Sequence, residues 1–293
     1  MMHTWLLTGG QTVKNWMKIS AAVLITAMIC IPVTATVAGS DRNMLNVAGS
    51  TTVMPLMTEL QKDFEKFADV EMHVTGGGSG VGISSTVNGV ANIGMLSRDL
   101  KTGEQGLGLK SYVIAHDAVV VVVNASVNVS DLSLSELAKI YSGEYTNWND
   151  GGMNGGSHAI AVMAREEGSG TKDCFEEALS KASPGFKAKD KGVNSVNSTG
   201  AILAAVAATP GAIGYIGISV DISSYTGLKS IKVDGVAPDR ANVILPPPGQ
   251  YPIVRELILV TKGEPTGITK FFIEWILSED GQDIVERSGF IKV

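Results

Sequence analysis

Three short segments pair glycine with hydroxyl side chains just before a helical run: Gly49-Ser50-Thr51-Thr52, Gly76-Gly77-Gly78-Ser79-Gly80 and Gly168-Ser169-Gly170-Thr171. A helix N-terminus carries backbone N–H groups without intrahelical acceptors and the positive end of the helix dipole. Serine and threonine add hydroxyl donors, and glycine lets the backbone approach closely, so each segment is suited to hold an anion. Each is equally suited to plain N-capping, which needs no ligand. Three in one chain, with Arg98 and Arg165 each following an apolar strand, favour a shared oxyanion site. The planar donor fork of guanidinium fits a tetrahedral oxyanion. The competing use of these arginines is an ion pair with Asp99, Glu166 or Glu167.

Asp117 precedes the continuous apolar run 118–123. A carboxylate there is costly without a partner. Two partners fit the position. One is an arginine or a strand-end amide. The other is a ligand that carries a proton, whose O–H the carboxylate accepts. Phosphate has such a proton near neutral pH and sulfate does not, so the second alternative selects phosphate.

Familiar catalytic patterns fail on spacing. Residues 76–82 do not satisfy G-x-G-x-x-G in any register, and Gly168-Ser169-Gly170-Thr171-Lys172 lacks the Gly-Lys-Ser/Thr order of a P-loop. Gly77-Gly78-Ser79-Gly80-Val81 misses the last glycine of a nucleophile elbow. The four histidines stand at no spacing that suggests a base for these serines or a metal site. No cofactor is expected. Aromatic residues make up 6% of the chain and the net charge is −6, which argues against a nucleic-acid surface.

The elements that must position these loops alternate as strand and helix, the pattern of an α/β fold with mainly parallel sheets. Strands are expected at 45–48, 70–74, 91–96, 118–123, 160–164, 212–218 and 253–260. Val53, Leu56, Leu60, Phe64 and Phe67 recur three or four apart, as in an amphipathic helix, and Pro55 falls in its first turn. Ser133 and Glu136 have capping-box spacing for a helix to 141. Helices are also expected after Gly80, Thr171 and Ser198-Thr199-Gly200. A last long helix places Ile268, Phe271, Phe272, Trp275 and Ile276 on one face. The polar, Gly-rich stretch 143–157 reads as a surface loop, and Pro246-Pro247-Pro248-Gly249 as a rigid connection.

Residues 1–38 read as an export signal: Lys14 and Lys18, an apolar run over 19–33, then Thr36-Val37-Ala38 before Gly39. An uncleaved anchor and a start at Met17 are the alternatives. Cys30 lies in this segment behind Ile29, which does not suit lipidation, and Cys174 is left as a small packed hydrophobe.

The series Val47-Ala48-Gly49-Ser50-Thr51-Thr52-Val53-Met54-Pro55-Leu56 resembles the opening of phosphate-specific substrate-binding proteins of ABC importers. Gly76 to Gly82, Ile93-Gly94-Met95-Leu96-Ser97-Arg98 and Arg165-Glu166-Glu167-Gly168-Ser169-Gly170-Thr171 resemble their later loops. Pro210 to Tyr215 and Tyr251 to Gly263 match in the same order. The resemblance implies a two-lobed periplasmic-binding-protein fold of type II, with two mixed sheets flanked by helices and the ligand in the cleft. It places one lobe at 44–120 and 230–293 and the other at 121–229. Carried over by motif, the phosphate site takes Ser50, Thr51, Thr52, Ser79, Ser97 and Arg98 from the first lobe, and Arg165, Ser169, Gly170 and Thr171 from the second. Longer members carry their proton-accepting aspartate near the position of Arg98. Asp117 matches an acid of shorter members and is the candidate acceptor here. The implied role is capture of inorganic phosphate outside the cytoplasm and delivery to a membrane permease, by a monomer without catalysis. A phosphate sensor or scavenger, or a binder of another tetrahedral oxyanion, is the alternative.

Overall fold

The computed structural model describes residues 43–189, 192–243 and 251–293. The expected export signal and the Pro246–Gly249 connection lie outside the described residues. Among the described residues no helix is long and apolar enough to cross a membrane.

The chain opens with β1 (Asn43–Gly49), α1 (Met54–Phe64), β2 (Val70–Gly76), α2 (Ser79–Val87) and β3 (Ile93–Leu96). β1 pairs in parallel with β2 on one side and with β3 on the other. Next comes β4 (Leu109–Asn124), a strand of 16 residues. It is followed by β5 (Asp131–Leu132), α3 (Leu134–Ser142), β6 (Ala161–Arg165), α4 (Gly170–Ala182), β7 (Asn194–Val196), α5 (Thr199–Ala208) and β8 (Ala212–Gly217). The rest is β9 (Leu228–Ser230), β10 (Lys232–Val233), β11 (Val254–Lys262), α6 (Gly267–Ile276) and α7 (Glu279–Arg287).

The main sheet runs β2-β1-β3-β11-β4-β8-β6-β7, with β9 also on β4, and β5 pairs separately with β10. The fold class expected from the sequence is borne out: α/β and two-lobed. The two sheet halves are not separate, however, because β4 passes through both. Up to Ala118 it pairs antiparallel with β11, and from Val119 it pairs with β8. Its composition explains the length. The run Ala118–Val123 is buried throughout, as a strand covered on both faces must be.

Each half has its own core. Leu45, Val47, Leu56, Leu60, Phe64, Ile93, Leu257 and Phe272 pack together in the first. Val119, Val121, Val123, Phe175, Leu179, Ile213 and Tyr215 pack in the second. Ile231, Val233, Val243, Tyr251 and Ile253 join that second core, although the sequence reading assigned 230–293 to the first lobe. Tyr251 donates its hydroxyl to the Val119 carbonyl at 3.1 Å, and the Val119 amide donates to Ile253 at 2.8 Å. We therefore propose that the chain returns to the first lobe at Val254 rather than near residue 230.

Two local expectations also change. The last long helix ends at Ile276, and Ser278 caps α7 by accepting from the Gly281 amide. The surface loop at 143–157 is pinned: Trp148 is fully buried and its indole N–H donates to the Gly211 carbonyl at 2.8 Å.

Candidate functional site

The glycines of the first half set how closely α2 approaches the sheet. A Cβ on Gly94 would meet the Gly82 carbonyl at 2.6 Å, and one on Gly82 would meet the Met95 carbonyl at 2.7 Å. Without side chains there, α2 packs on β1 and β3 at backbone contact and delivers Ser79, its first residue, to the end of β3. The Ser97 amide donates to Ser79 Oγ at 3.1 Å, and the two hydroxyls are 3.5 Å apart. Ser50, just past the end of β1, donates its hydroxyl to Ser97 Oγ at 2.9 Å. The same Ser50 Oγ accepts from the amides of Thr52 and Val53 at 3.2 and 3.4 Å. Ser50 Oγ thus closes the turn ahead of α1 while joining the cluster, and α1 itself starts after Val53 without a side-chain cap.

The second half meets this cluster at the N-terminus of α4. Ser169 caps the helix by accepting from the Lys172 amide at 3.3 Å. Gly170 and Thr171 follow, and their amides belong to the first turn, which has no intrahelical acceptors. A Cβ on Gly170 would meet Ser79 Oγ at 2.1 Å and Ser97 Oγ at 2.7 Å. Only glycine lets α4 end against those two serines. Thr171 Oγ1 is 3.0 Å from Thr52 Oγ1, and the Gly80 amide donates to the Gly168 carbonyl at 2.9 Å. Ser50, Thr52, Ser79, Ser97, Ser169 and Thr171 are all buried.

All three glycine–hydroxyl loops follow the carboxyl ends of parallel strands, β1, β2 and β6. This is where open α/β sheets place ligands. The arrangement presents hydroxyls and helix-start amides to one point, which suits a small anion and offers no nucleophile–base pair. Among the described residues no group of three or more His, Cys, Asp or Glu side chains is placed to hold a metal ion.

Both expected arginines are buried, and both are engaged by carboxylates. Arg165 binds Glu166 through Nε and Nη2, each at 2.8 Å. Nη2 also donates across to Thr51 Oγ1 at 3.0 Å, and Nη1 reaches Thr199 Oγ1 at 3.4 Å. The Arg165 amide donates to the Tyr215 hydroxyl at 3.0 Å, which ties β6 to β8 behind the site. Burial pushes the Tyr215 hydroxyl well above its ordinary pKa, and that amide bond only partly offsets it.

Arg98 is directed away from the hydroxyls. Its Nη groups bind both oxygens of Glu104, at 2.7 and 2.9 Å, and the Asp99 carbonyl at 2.7 Å. Its Nε is 2.7 Å from Asp173 on α4, which Lys101 also approaches at 2.9 Å. Burial acts to raise the Glu104 carboxyl, but the Arg98 bond, the Lys101 amide and their charges hold it below its ordinary value of 4.5. Arg98 is ion-paired, but with Glu104 and Asp173 rather than with the Asp99, Glu166 or Glu167 side chains that the sequence offered, and its contact with Asp173 spans the two halves of the molecule.

Asp117 also has an arginine partner. It stands opposite Arg255 in the antiparallel β4–β11 register. Oδ2 accepts from Arg255 Nε at 2.8 Å and Nη2 at 2.5 Å, and Oδ1 accepts from the Ile218 amide at 3.1 Å. Of the two readings of Asp117, the arginine pair is the one observed. Arg255 Nη1 continues to Thr171 Oγ1 at 2.9 Å and the Ser97 carbonyl at 3.3 Å.

Residues 35–280 match the family model described as a PBP superfamily domain. The phosphate-binding protein PstS of Bacillus subtilis is 33% identical over 254 residues, covering 85% of this chain and 80% of that protein. The chain belongs to the family of phosphate-binding proteins of ABC transporters. PstS of Borreliella burgdorferi is 31% identical over 261 residues, covering 86% of this chain and 91% of that protein. A crystal structure from Clostridium perfringens, described as a phosphate ABC transporter substrate-binding protein with bound phosphate, superposes with a TM-score of 0.77 at 38% identity. It spans 86% of this chain and 100% of its own.

As a phosphate-binding family member, the chain brings together Ser50, Thr52, Ser79, Ser97, Gly170 and Thr171, with Ser169 as the cap below them. Thr51 lies on the Arg165 side, and Arg98 on the Glu104–Asp173 side. Arg255, Tyr215, Glu104 and Asp173 were not singled out in the sequence. Arg255 had one visible signal, a charged residue in the strand 253–260 whose other members are mostly apolar.

Proposed function

We propose that this protein captures inorganic phosphate outside the cytoplasm and hands it to an ABC permease without chemistry. The observation that carries the reading is the convergence of Ser79 and Ser97 from one lobe on Gly170 and Thr171 at the start of α4 from the other. In this reading Ser50, Thr52, Ser79, Ser97, Ser169, Gly170 and Thr171 supply hydroxyl and amide donors. Arg165 supplies charge beside Thr51, and charge-assisted bonds are the stronger ones. Arg98 acts instead as a tie between the lobes, through Asp173. Lobe closure buries the anion, and the closed form is what a permease accepts. Residues 1–38 export the chain, and it works as a monomer. The serines contact hydroxyls and amides rather than an imidazole, which supports binding over hydrolysis.

Uptake of labelled phosphate in phosphate-starved cells tests the reading. Deleting the gene is expected to abolish high-affinity uptake. The wild-type chain restores it, and a Ser97→Ala/Thr171→Ala chain does not. Unchanged uptake in the deletion strain contradicts the transport role.

A further inference from the structure

Three buried arginines stand near the hydroxyl cluster, and each sets part of its guanidinium on a carboxylate. Arg98 gives both Nη groups to Glu104 and a backbone carbonyl, and its Nε lies 2.7 Å from Asp173. Arg165 gives Nε and Nη2 to Glu166, and its Nη1 and Nη2 reach Thr199 and Thr51, which are not among the hydroxyls gathered around Ser79 and Ser97. Arg255 shares this one-edge pairing with a carboxylate but differs in where its remaining nitrogen goes. Asp117 takes one edge of its guanidinium, Nε and Nη2, on a single oxygen. The other nitrogen, Nη1, meets no carboxylate and reaches Thr171 Oγ1 and the Ser97 carbonyl instead. Those are two members of the cluster, one from each lobe. Thr171 Oγ1 in turn touches Thr52 Oγ1, so Arg255 is within one further contact of a third.

The surroundings hold this orientation firmly. The Arg255 side chain is 2% exposed and that of Asp117 0%. Gly217, the last residue of β8, lies over the pair. A Cβ there would meet Asp117 Oδ2 at 3.1 Å and Arg255 Nη2 at 3.3 Å. The Ile218 amide fixes the second Asp117 oxygen. Asp117 therefore has its bonds within the protein. A guanidinium held along one edge has a fixed direction for the opposite nitrogen, which is the geometry that gives arginine its directional donors.

We propose, building on the phosphate-binding reading, that Arg255 Nη1 is a cationic donor of the anion site and that Asp117 is the positioning residue that aims it. In this arrangement Asp117 does not accept a ligand proton. The cation sits on β11 of the first lobe and already touches α4 of the second. It is thus placed to sense whether both lobes are on the anion.

The test is calorimetric titration with phosphate and with sulfate, from pH 6 to 8, on wild-type protein, Arg255→Lys, Asp117→Asn and the double variant Arg255→Gln/Asp117→Asn. Wild-type protein that binds no phosphate overturns the underlying reading rather than this inference. Given wild-type binding, Arg255→Lys keeps the charge and loses the fork, and is expected to weaken phosphate by roughly tenfold to a hundredfold. Asp117→Asn is expected to weaken phosphate with the wild-type pH profile unchanged. The double variant leaves no unpaired buried charge, so it stays folded, and it is expected to show no phosphate-induced rise in Tm. Wild-type affinity in Arg255→Lys, a pH profile displaced by Asp117→Asn, or a wild-type Tm rise in the double variant each overturns the proposal. A displaced profile would return Asp117 to direct contact with the ligand proton.

Discussion

At the residue scale, the site depends on where a side chain is missing as much as on those present. Gly170 stands where any Cβ would fall 2.1 Å from Ser79 Oγ and 2.7 Å from Ser97 Oγ. Its backbone is ordinary helix, so the constraint is space and not φ. Gly170→Ala is expected to fold, because a serine hydroxyl can rotate away, but the rotation scatters the donors. Phosphate affinity should fall by about tenfold or more, the scale of one or two charge-assisted bonds. The Tm should move by only a few degrees, the roughly 1 kcal/mol scale of a modest packing adjustment. A Gly170→Ala protein with wild-type affinity would show that the Ser79–Gly170 approach has no part in binding.

At the element scale, β4 and α4 do the joining. β4 changes partners between Ala118 and Val119, so one strand carries both halves of the sheet. α4 brings its N-terminus to the serines and, one turn later, Asp173 to Arg98 and Lys101. Glu104 holds Arg98 in place for that contact, and its carboxyl lies below the ordinary 4.5. A carboxyl lowered in the folded state adds stability that is present above the unfolded value. That stability is lost as pH falls through the folded value. Glu104→Gln is therefore expected to lower the Tm at pH 7, with the deficit shrinking as pH drops below 4.5 and vanishing in stronger acid. Thermal melts of both proteins across that range measure it. A deficit that persists unchanged into strong acid would contradict the Arg98–Glu104 account.

At the scale of the whole molecule, the sequence made the fold legible because its signals are local. The alternating strand of Val70, Met72 and Val74, the capping box of Ser133 and Glu136, and the apolar run 118–123 each report a nearby backbone state. The glycine–hydroxyl loops were legible for the same reason, and the resemblance to a known family ordered them into two lobes. Pairings across long sequence separations were hidden. Arg255 meets Asp117 across 138 positions, and Arg165 meets Thr51 across 114. No periodicity encodes such a partner. The lobe boundary proposed at Val254 was hidden for a related reason: Ile231, Val233, Val243, Tyr251 and Ile253 pack in the second core, yet in sequence they look like any short apolar positions. Hydroxyl type and spacing thus indicated an anion, while the partners of the buried arginines emerged only in the tertiary structure.

The central claim is that the two lobes together hold a single phosphate. Isothermal titration of the purified protein with phosphate, with sulfate as competitor, tests it most directly. The account predicts one phosphate per chain and no displacement by a large excess of sulfate. No heat of phosphate binding, or sulfate bound as tightly as phosphate, would contradict it.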